Sequence, residues 1–264
     1  MSASLYRETE GIGVDLLLLH GWGLHGGIWD TLLPRLTPHF RVTRLDLPGH
    51  GRSRSVPMPA TLAETAKLVL DAAPAGAVWL GWSLGGLVAL RAAVDAPQHM
   101  RALMLANTTP RFVTAPDWPH AMPPEQLLEF ADGLATGYRE TLLRFLFLQV
   151  RGDERARASL RQLRETLFTH GEPDTASLAA GLRLLGESDL RSELSAIPLP
   201  TLVMAGGYDR LTPPAAGEHL ARGIPGARLQ LLPKSAHAPF ISHAEEFTAA
   251  LMGFLQHIDT QEVA

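Results

Sequence analysis

Gly81-Trp82-Ser83-Leu84-Gly85-Gly86 follows the apolar run 77–80 and opens the amphipathic pattern 84–96. This is a G-x-S-x-G sequence at a strand-to-helix junction, where a sharp turn needs small residues on both sides of the serine. Such a turn lifts the Ser83 hydroxyl above the end of the strand. It also leaves the Leu84 N–H at a helix N-terminus, where it faces developing negative charge. The stretch therefore predicts Ser83 as a nucleophile and the Leu84 N–H as an oxyanion donor.

Outward from this turn, short apolar runs alternate with helical patterns. The runs are 16–20, 42–47, 78–82, 102–107, 201–206 and 229–232, and the helical patterns are 28–36, 62–73, 84–96, 214–222 and 244–257. Continuous apolar runs are typical of strands buried on both faces, as in a parallel sheet. The alternation predicts an α/β fold with a doubly wound sheet. Sites in such sheets lie at the carboxyl ends of the strands.

The alternation stops between about residues 110 and 197. Only helical patterns occur there, at 125–135, 139–150, 154–168 and 175–185, and prolines stand at both ends of the stretch. We expect residues 110–196 to form a helical cap inserted after the fourth parallel strand, and residues 1–109 and 197–264 to form the α/β core. The alternative is a set of ordinary crossover helices, although one connection seldom needs so many residues.

A serine nucleophile needs a base, and in this fold the chain order is Ser, Asp, His. His237 follows the last apolar run and is predicted to be the base. Asp209 follows the run 201–206, where a carboxylate can accept from the histidine Nδ1–H and stabilise the imidazolium. The alternative for Asp209 is a turn or helix-capping role, and for the other histidines a solvated surface position.

The stretch His20-Gly21-Trp22-Gly23 ends the first central strand. Its glycines would let backbone N–H groups face the pocket, so the Trp22 N–H is the predicted second oxyanion donor and its indole a wall of the acyl site. The alternative is a tight glycine turn with a buried tryptophan. We expect His20 to be a hydrogen-bonded structural residue. The turn 46–53 is given no chemistry, and His50 within it is expected to be solvated.

Composition excludes several classes of protein. The chain has 264 residues, a net charge of −4 and no cysteine, so thiolate chemistry is excluded and no basic field for nucleic acid or an anionic membrane is expected. No secretory leader or run of about 18 apolar residues is recognisable, which favours a cytoplasmic protein without membrane contact. No metal-ligand spacing or nucleotide-binding loop occurs. We expect no metal and no cofactor.

Four stretches resemble a known family over essentially the whole chain: 20–24 (HGWGL), 81–89 (GWSLGGLVA), 144–149 (RFLFLQ) and 236–243 (AHAPFISH). They are similar to the α/β-hydrolase superfamily, and within it to the pimeloyl-[acyl-carrier-protein] methyl ester esterases of biotin synthesis. The resemblance implies cleavage of a methyl ester on a pimeloyl chain that stays attached to an acyl carrier protein, with release of methanol.

The resemblance also implies particular binding residues. The substrate would contact Trp22, Ser83, Leu84 and His237, and would pass a channel lined in the cap by Phe145, Leu146, Phe147, Leu148 and Gln149. The acidic carrier protein would be held by cap arginines, of which Arg144, Arg157 and Arg161 match the family's basic positions. A further basic position of the family is Glu140 here, with Arg139 beside it, so the carrier contact is expected to be rearranged.

The residues themselves support part of this expectation. Between positions 139 and 168 there are seven arginines and four acidic residues, a local charge of +3 in a chain of −4. On helical spacing Arg157, Arg161 and Arg164 share one face, and the leucines at 160, 163 and 167 share an adjacent one. Such a helix could bury its leucines and present its arginines to an acidic partner. The alternative is a solvated face with local pairs such as Arg161–Glu165.

The sequence thus predicts a serine carboxylesterase acting on carrier-bound pimeloyl methyl ester. Because a fold hosts many functions, a general short-chain carboxylesterase or a carbon–carbon bond hydrolase remains an alternative. A binding protein with slow or vestigial catalysis is a further alternative, against which the complete Ser, Asp, His set speaks. Dehalogenase and epoxide hydrolase functions are disfavoured, since they would place an aspartate at position 83.

Overall fold

One seven-stranded sheet forms the centre of the computed structural model, which describes residues 4–263. The strands are β1 (Arg7–Gly11), β2 (Val14–Leu19), β3 (Phe40–Leu45), β4 (Ala77–Trp82), β5 (Met100–Ala106), β6 (Thr201–Gly206) and β7 (Arg228–Leu232). Their order across the sheet is β1-β3-β2-β4-β5-β6-β7. Only β1 runs antiparallel to its neighbour, and all other described pairs are parallel. The predicted α/β fold is confirmed.

Burial on both faces explains the central strands. The side chains of residues 16–19 in β2 and 77–82 in β4 are buried without alternation, as expected where helices cover both sides of a sheet. Leu19 pairs with Gly81, and Gly81 with Leu105, so β2, β4 and β5 end at the same edge. The residues that follow these strands are therefore close together at that edge.

Nine helices are assigned between residues 4 and 263. They are α1 (Leu33–Leu36), α2 (Leu62–Ala72), α3 (Leu84–Asp95), α4 (Pro124–Val150), α5 (Ala156–Leu167), α6 (Thr175–Glu187), α7 (Pro214–Gly223), α8 (Pro239–Ser242) and α9 (Ala244–Val263). α3 packs on β4 and β5, and α7 packs on β6 and β7. Within this described part of the chain, no helix combines the length and apolar character needed to cross a bilayer.

Helices α4 to α6, here called the helical segment, lie between β5 and β6. The backbone of α4 leaves the helical conformation at Gly137 (φ −172°, ψ 75°), so its two halves correspond to the separate helices predicted at 125–135 and 139–150. The two ends of the connection meet at its base. There the Leu190 N–H donates to the Pro110 carbonyl (3.0 Å), and the Arg111 guanidinium pairs with Asp189 (2.8 Å).

Two elements differ from the sequence prediction. The edge strand β1 was not predicted, because its sequence RETEG has neither an apolar run nor alternation and four of its five residues are exposed. The helix predicted at 28–36 is a 3-10 turn (Gly26–Trp29) followed by the short α1. Pro34 explains the break, since proline fits only the first turn of a helix and α1 begins immediately before it.

Candidate active site

The turn that holds Ser83 is fixed by backbone packing. Ser83 lies between β4 and α3 with φ 55° and ψ −118°, a conformation that is rare for a residue with a side chain. A Cβ on Gly81 would lie 2.5 Å from the Gly85 carbonyl oxygen, and one on Gly85 would lie 2.6 Å from that of His20. The glycines on both sides of Ser83 are therefore required by close contact between α3, β4 and the end of β2.

Asp209 and His237 form a buried hydrogen-bonded pair. His237 Nδ1 lies 2.7 Å from Asp209 Oδ2, and both side chains are almost fully buried. Asp209 Oδ1 accepts from the backbone N–H groups of Leu211 and Thr212, and its Oδ2 also accepts from the Thr212 hydroxyl. Burial alone would raise the pKa of Asp209, but attraction by His237 and the hydrogen bonds from His237, Thr212 and Asn107 outweigh it and lower the pKa.

The backbone of His237 is held from two sides. Its N–H donates to the Gln149 carbonyl at the end of α4 (2.9 Å), and its carbonyl accepts from the Trp82 indole N–H (2.7 Å). The preceding Ala236 N–H donates to the Asp153 carboxylate (3.0 Å). The helical segment and the strand that carries Ser83 therefore fix the histidine together.

His237 Nε2 is the ring nitrogen that does not contact Asp209. It is buried and forms no hydrogen bond with any of the described residues, so it is not bonded to Ser83. The His237 ring lies 5.5 Å from the ring of Trp82, the residue before Ser83. Catalytic hydrogen bonds are often long in free enzymes and shorten when substrate binds. A general base requires a ring nitrogen that is free to accept a proton, and Nε2 meets this condition in a histidine that contacts Trp82, the residue before Ser83.

The predicted oxyanion donors lie at the same edge. Leu84 is the first residue of α3, where a helix leaves its N–H groups without an intrahelical acceptor. Trp22 follows Gly21, and a Cβ added to Gly21 would lie 3.2 Å from Ser83 Cβ, so this turn packs against the nucleophile turn. The Trp22 indole N–H donates to the Leu178 carbonyl in α6 (2.8 Å), which holds the ring under the helical segment.

The predicted channel residues of α4 divide between the site and the surface. Phe145 packs edge-on against Trp22 (4.9 Å between ring centres) and against Phe130 (5.3 Å). Leu146 and Gln149 are buried, and Leu148 is half-buried. Phe147 is 53% exposed and lies on the opposite face of the helix from Phe145, since positions two apart on a helix point in different directions. The structure therefore brings Phe145 to Trp22 but leaves Phe147 at the surface.

His20 and His50, near the ends of β2 and β3, have structural contacts. His20 Nδ1 donates to the Gly21 carbonyl and its Nε2 accepts from the Leu47 N–H, as expected for a hydrogen-bonded structural residue. Burial, followed by the proximity of His50, lowers the pKa of His20 to about 3. The expectation that His50 is solvated is wrong, because it is fully buried and accepts from the Gly23 N–H. Burial lowers its pKa to about 4.

Two of the predicted docking arginines are paired. Arg144 in α4 pairs with Glu129 (2.9 Å), and both side chains are about 60% exposed. Arg139 pairs with Glu172, which precedes α6. These pairs are at the surface, where ion pairs contribute little to stability and can be exchanged for a partner's carboxylates.

The arginines of α5 are unpaired. Arg157 and Arg161 are exposed, and no described residue lies within ion-pair distance of either, so the pair Arg161–Glu165 is not formed. Of the three leucines predicted on the adjacent face, Leu163 and Leu167 are buried and Leu160 is half-buried. α5 therefore presents free guanidinium groups to solvent while its leucines anchor it.

No group of three or more His, Asp or Glu residues in the described part of the chain is arranged to hold a metal ion. The residues brought together so far come from the ends of four strands, β2, β4, β6 and β7, and from α4. A serine, a buried histidine and a carboxylate bonded to its Nδ1 are the side chains that the predicted nucleophile, base and orienting acid require.

The fold and the site together define an α/β hydrolase. The family described as alpha/beta hydrolase fold matches residues 16–244, and the chain belongs to this family. A solved hydrolase from Pseudomonas aeruginosa PA01 superposes with a TM-score of 0.82 at 32% identity, covering 95% of this chain and 94% of that one.

The most informative relatives are named pimeloyl-[acyl-carrier protein] methyl ester esterase. The one from Xanthomonas campestris pv. campestris (strain B100) is 47% identical over 252 residues, which is 95% of this chain and 98% of the relative. The one from Nitrosomonas europaea is 42% identical over 247 residues, covering 94% and 98%. With esterases as relatives along nearly its whole length, the chain is a carboxylic ester hydrolase.

Several residues that contact Asp209 or His237 were not predicted from the sequence. Asn107, Thr212 and Trp82 all donate hydrogen bonds to Asp209 or His237. A usable signal existed for Asn107, because a polar residue directly after a buried parallel strand lies at the edge where sites form. Nothing in the sequence indicated that the Trp82 indole reaches His237, 155 positions away.

Proposed function

We propose that this protein hydrolyses the methyl ester of a pimeloyl chain attached to an acyl carrier protein, with Ser83 as nucleophile, His237 as base and Asp209 as the orienting acid. One observation carries the chemistry. The buried Nε2 of His237 has no hydrogen-bond partner among residues 4–263, and this histidine is bonded to Asp209 and, through its carbonyl, to Trp82, the residue before Ser83. The identity to esterases named for this substrate supports the choice of ester.

The reaction begins when Ser83 Oγ attacks the ester carbonyl and His237 Nε2 takes its proton. The Trp22 and Leu84 N–H groups stabilise the oxyanion. Collapse of the tetrahedral intermediate expels methoxide, which His237 protonates, so methanol leaves and an acyl-enzyme remains. Water then attacks the acyl-enzyme and gives its proton to His237. The second collapse returns that proton to Ser83 and releases the carboxylic acid, which then loses its proton to solvent.

Asp209 acts through His237. Its Oδ2 accepts from Nδ1–H, so the neutral ring presents Nε2 to the serine, and its charge stabilises the imidazolium that forms. The hydrogen bonds from Leu211 and Thr212 hold the carboxylate in position. An anion that is already saturated with hydrogen bonds needs little reorganisation during the reaction.

The helical segment serves as a cap over this site. It supplies Phe145 against Trp22, the Leu178 carbonyl to the Trp22 indole and the Gln149 carbonyl to His237. The exposed arginines of α4 and α5 form the docking surface for an acidic carrier, with Arg157 and Arg161 unpaired and Arg139 and Arg144 in exchangeable surface pairs. A long acyl chain would then enter between α4 and the core while its carrier stays outside.

The test is methanol release from the carrier-bound pimeloyl methyl ester. The wild-type protein should release one methanol per ester and leave the thioester to the carrier intact. Ser83→Ala should release none above background, because nucleophile and base act as a unit and triad deletions cost about 10⁴–10⁶ in kcat.

The same methyl ester on a short thiol, without the carrier, is the matched substrate control. A much lower kcat/KM on this compound supports carrier recognition, whereas equal values would favour a general short-chain carboxylesterase. Failure of the wild type on every ester would favour a binding protein or another bond type.

A further inference from the structure

Asn107 occupies an unusual position at the end of β5. It is the only asparagine in the sequence, is 2% exposed and has a backbone φ of 44°. Ser83 and Asn107 are the two residues other than glycine with positive φ between positions 4 and 263. They follow the adjacent strands β4 and β5 and lie at the same edge of the sheet.

The side chain of Asn107 connects the loops that carry the acid and the base. Its Nδ2 donates to Asp209 Oδ2 at 2.6 Å and to the Ala236 carbonyl at 3.1 Å. The same Oδ2 accepts from His237 Nδ1 at 2.7 Å. The Asn107 backbone N–H donates to the Met204 carbonyl in β6 (2.9 Å), which fixes the residue between the two strands.

The chemistry of the contacts sets the orientation of the amide. Both partners of Nδ2 are acceptors, so a flipped side chain would place its oxygen against a carboxylate and a carbonyl. Oδ1 is left buried and without a hydrogen bond to any described group. A buried acceptor without a hydrogen bond costs folding free energy, and so does the positive φ of Asn107. Asn107 combines both features.

We propose that Asn107 is a positioning residue of the acid–base pair. It holds the Asp209 carboxylate and the Ala236–His237 backbone in fixed relative positions, and it reduces the negative charge that the carboxylate presents to His237. This inference rests on the proposed function, because it assumes that Asp209 and His237 act on Ser83. The hydrogen bonds of Asn107 go to Asp209, Ala236 and Met204, so its effect on Ser83 would act through His237.

The direction of the effect follows from the hydrogen bond to Oδ2. A donor on this oxygen shares its negative charge and weakens its attraction for the imidazolium. Without the donor, Oδ2 would present more negative charge to the Nδ1–H of His237 and would hold the protonated ring more strongly. The other titratable groups around this loop are Asp153, which accepts from Ala236, and Glu154, which lies near Lys234 and His243. None of these contacts the Asn107 amide.

Asn107→Gly is the most informative variant, because glycine adopts positive φ freely and only the side chain is removed. We expect kcat for an ester to fall roughly tenfold, the effect of one charge-assisted hydrogen bond. KM should stay within about twofold, since no substrate contact is lost. The acid limb of the kcat/KM profile should move to higher pH. Thr109→Ala is the matched control, since it removes a side-chain hydrogen bond of another buried residue at the same strand end and should leave the profile in place.

A spectroscopic readout is available because the chain has one asparagine. Labelling with ¹⁵N-asparagine gives a single pair of side-chain amide signals, and these should shift along the same pH curve as the acid limb. Signals that do not respond to pH, or Asn107→Gly activity with an unchanged kcat and pH profile, would overturn the inference even if thermal stability fell. Ser83→Ala assayed in parallel separates the two claims: if it retained turnover, the proposed function would be at fault and not Asn107.

Discussion

Asp209 accepts two hydrogen bonds on Oδ1 and three on Oδ2, all from groups within the described fold. This complete set of hydrogen bonds distinguishes Asp209 from a carboxylate at the surface. Asp71 on α2, in contrast, is 61% exposed and pairs only with Lys67. The two aspartates therefore offer a matched pair for testing what the buried position does.

Asp209→Asn should lower kcat by about 10⁴-fold while the protein remains folded, because an amide favours the wrong tautomer of His237 and cannot stabilise its charged form. Steady-state rates and thermal unfolding of the purified variant check this. Asp71→Asn should retain wild-type activity. A full kcat in Asp209→Asn would assign the orienting role to another carboxylate.

Residue positions were predictable from the sequence where local geometry constrains them. The tight turn at Ser83 follows from the glycines on both sides of it, and the positions of Asp209 and His237 follow from the strands that precede them, since sites in this fold lie at strand ends. Contacts made by long-range packing could not be predicted. The burial of His50 is an example, since its ring is covered by the turn that contains Gly23, 27 positions away.

At the scale of elements, the junction of β4 and α3 depends on an absence of side chains. Gly81→Ala would place a Cβ 2.5 Å from the Gly85 oxygen and 2.6 Å from Gly86 Cα, so the backbone must shift. We expect a loss of about 1–3 kcal/mol in unfolding free energy, as in overpacked cores, together with a fall in kcat as Ser83 moves. Chemical denaturation and ester turnover measure the two effects.

Gly253→Ala on α9 is the control for this change. Nothing lies within 4 Å of its added Cβ, and alanine is the better helix former by up to about 1 kcal/mol. It should be neutral or stabilising and fully active. Equal damage from both substitutions would mean that the tight junction at Ser83 is not the sensitive feature.

The exposed arginines of α4 and α5 are the proposed contact of the helical segment with an acidic carrier. Reversing Arg144, Arg157 and Arg161 to glutamate should lower kcat/KM for carrier-bound ester more than kcat, because surface charges act mainly on association. A small ester should be spared. Wild-type kcat/KM for the carrier substrate should also fall as salt rises, since screening lengths shrink to about 8 Å at physiological ionic strength.

The control is an equal charge reversal on the α/β core, at Arg35, Arg222 and Arg228, which are all exposed. It should leave both substrates unaffected beyond a small general effect of net charge. Equal losses on carrier-bound and small esters in the first variant would indicate that its arginines hold the helical segment together. Equal losses in both triple variants would indicate a nonspecific effect of charge.

Strands and helices could be predicted where they have a local apolar pattern. They were missed where their stability depends on pairing with residues that are distant in the sequence. The central strands and most long helices follow from continuous or periodic burial. β1 depends on cross-strand charges: Glu8 and Glu10 both contact Arg44 of β3, at 3.2 and 2.7 Å. A polar edge strand of this kind has no local signature, because its stabilisation comes from a partner that is distant in the sequence.

At the scale of the whole molecule, buried neutral histidines link stability to pH. The folded pKa values of His20 and His50 are lowered to about 3 and about 4, while an unfolded chain titrates them near ~6.5. Between these values the unfolded state binds more protons, so stability is present above ~6.5 and is lost as pH falls toward about 4. Each histidine contributes a slope of up to about 1.4 kcal/mol per pH unit.

The free energy of unfolding, measured with denaturant at pH 7, 6 and 5, should therefore decline steeply as pH falls. This decline should occur at pH values well above the range in which carboxylates titrate. His50→Asn should be less stable at pH 7 but lose less on acidification, because one of the coupled protons is gone. His39→Gln, at an exposed position, should keep the wild-type slope. A stability that is flat from pH 7 to 5 would contradict the buried neutral state of these rings.

In the proposed reaction Ser83 attacks the methyl ester and not the thioester, and the structure of the acyl-enzyme distinguishes the two. Attack on the ester leaves the pimeloyl chain bonded to Ser83 at one end and to the carrier at the other. Acid-quenched single-turnover samples, analysed by intact mass, should therefore contain a covalent adduct of this protein with the whole carrier, formed together with free methanol and absent in Ser83→Ala. An adduct bearing only a methyl pimeloyl group, with free carrier thiol, would contradict the account, as would an adduct mapped to any other residue.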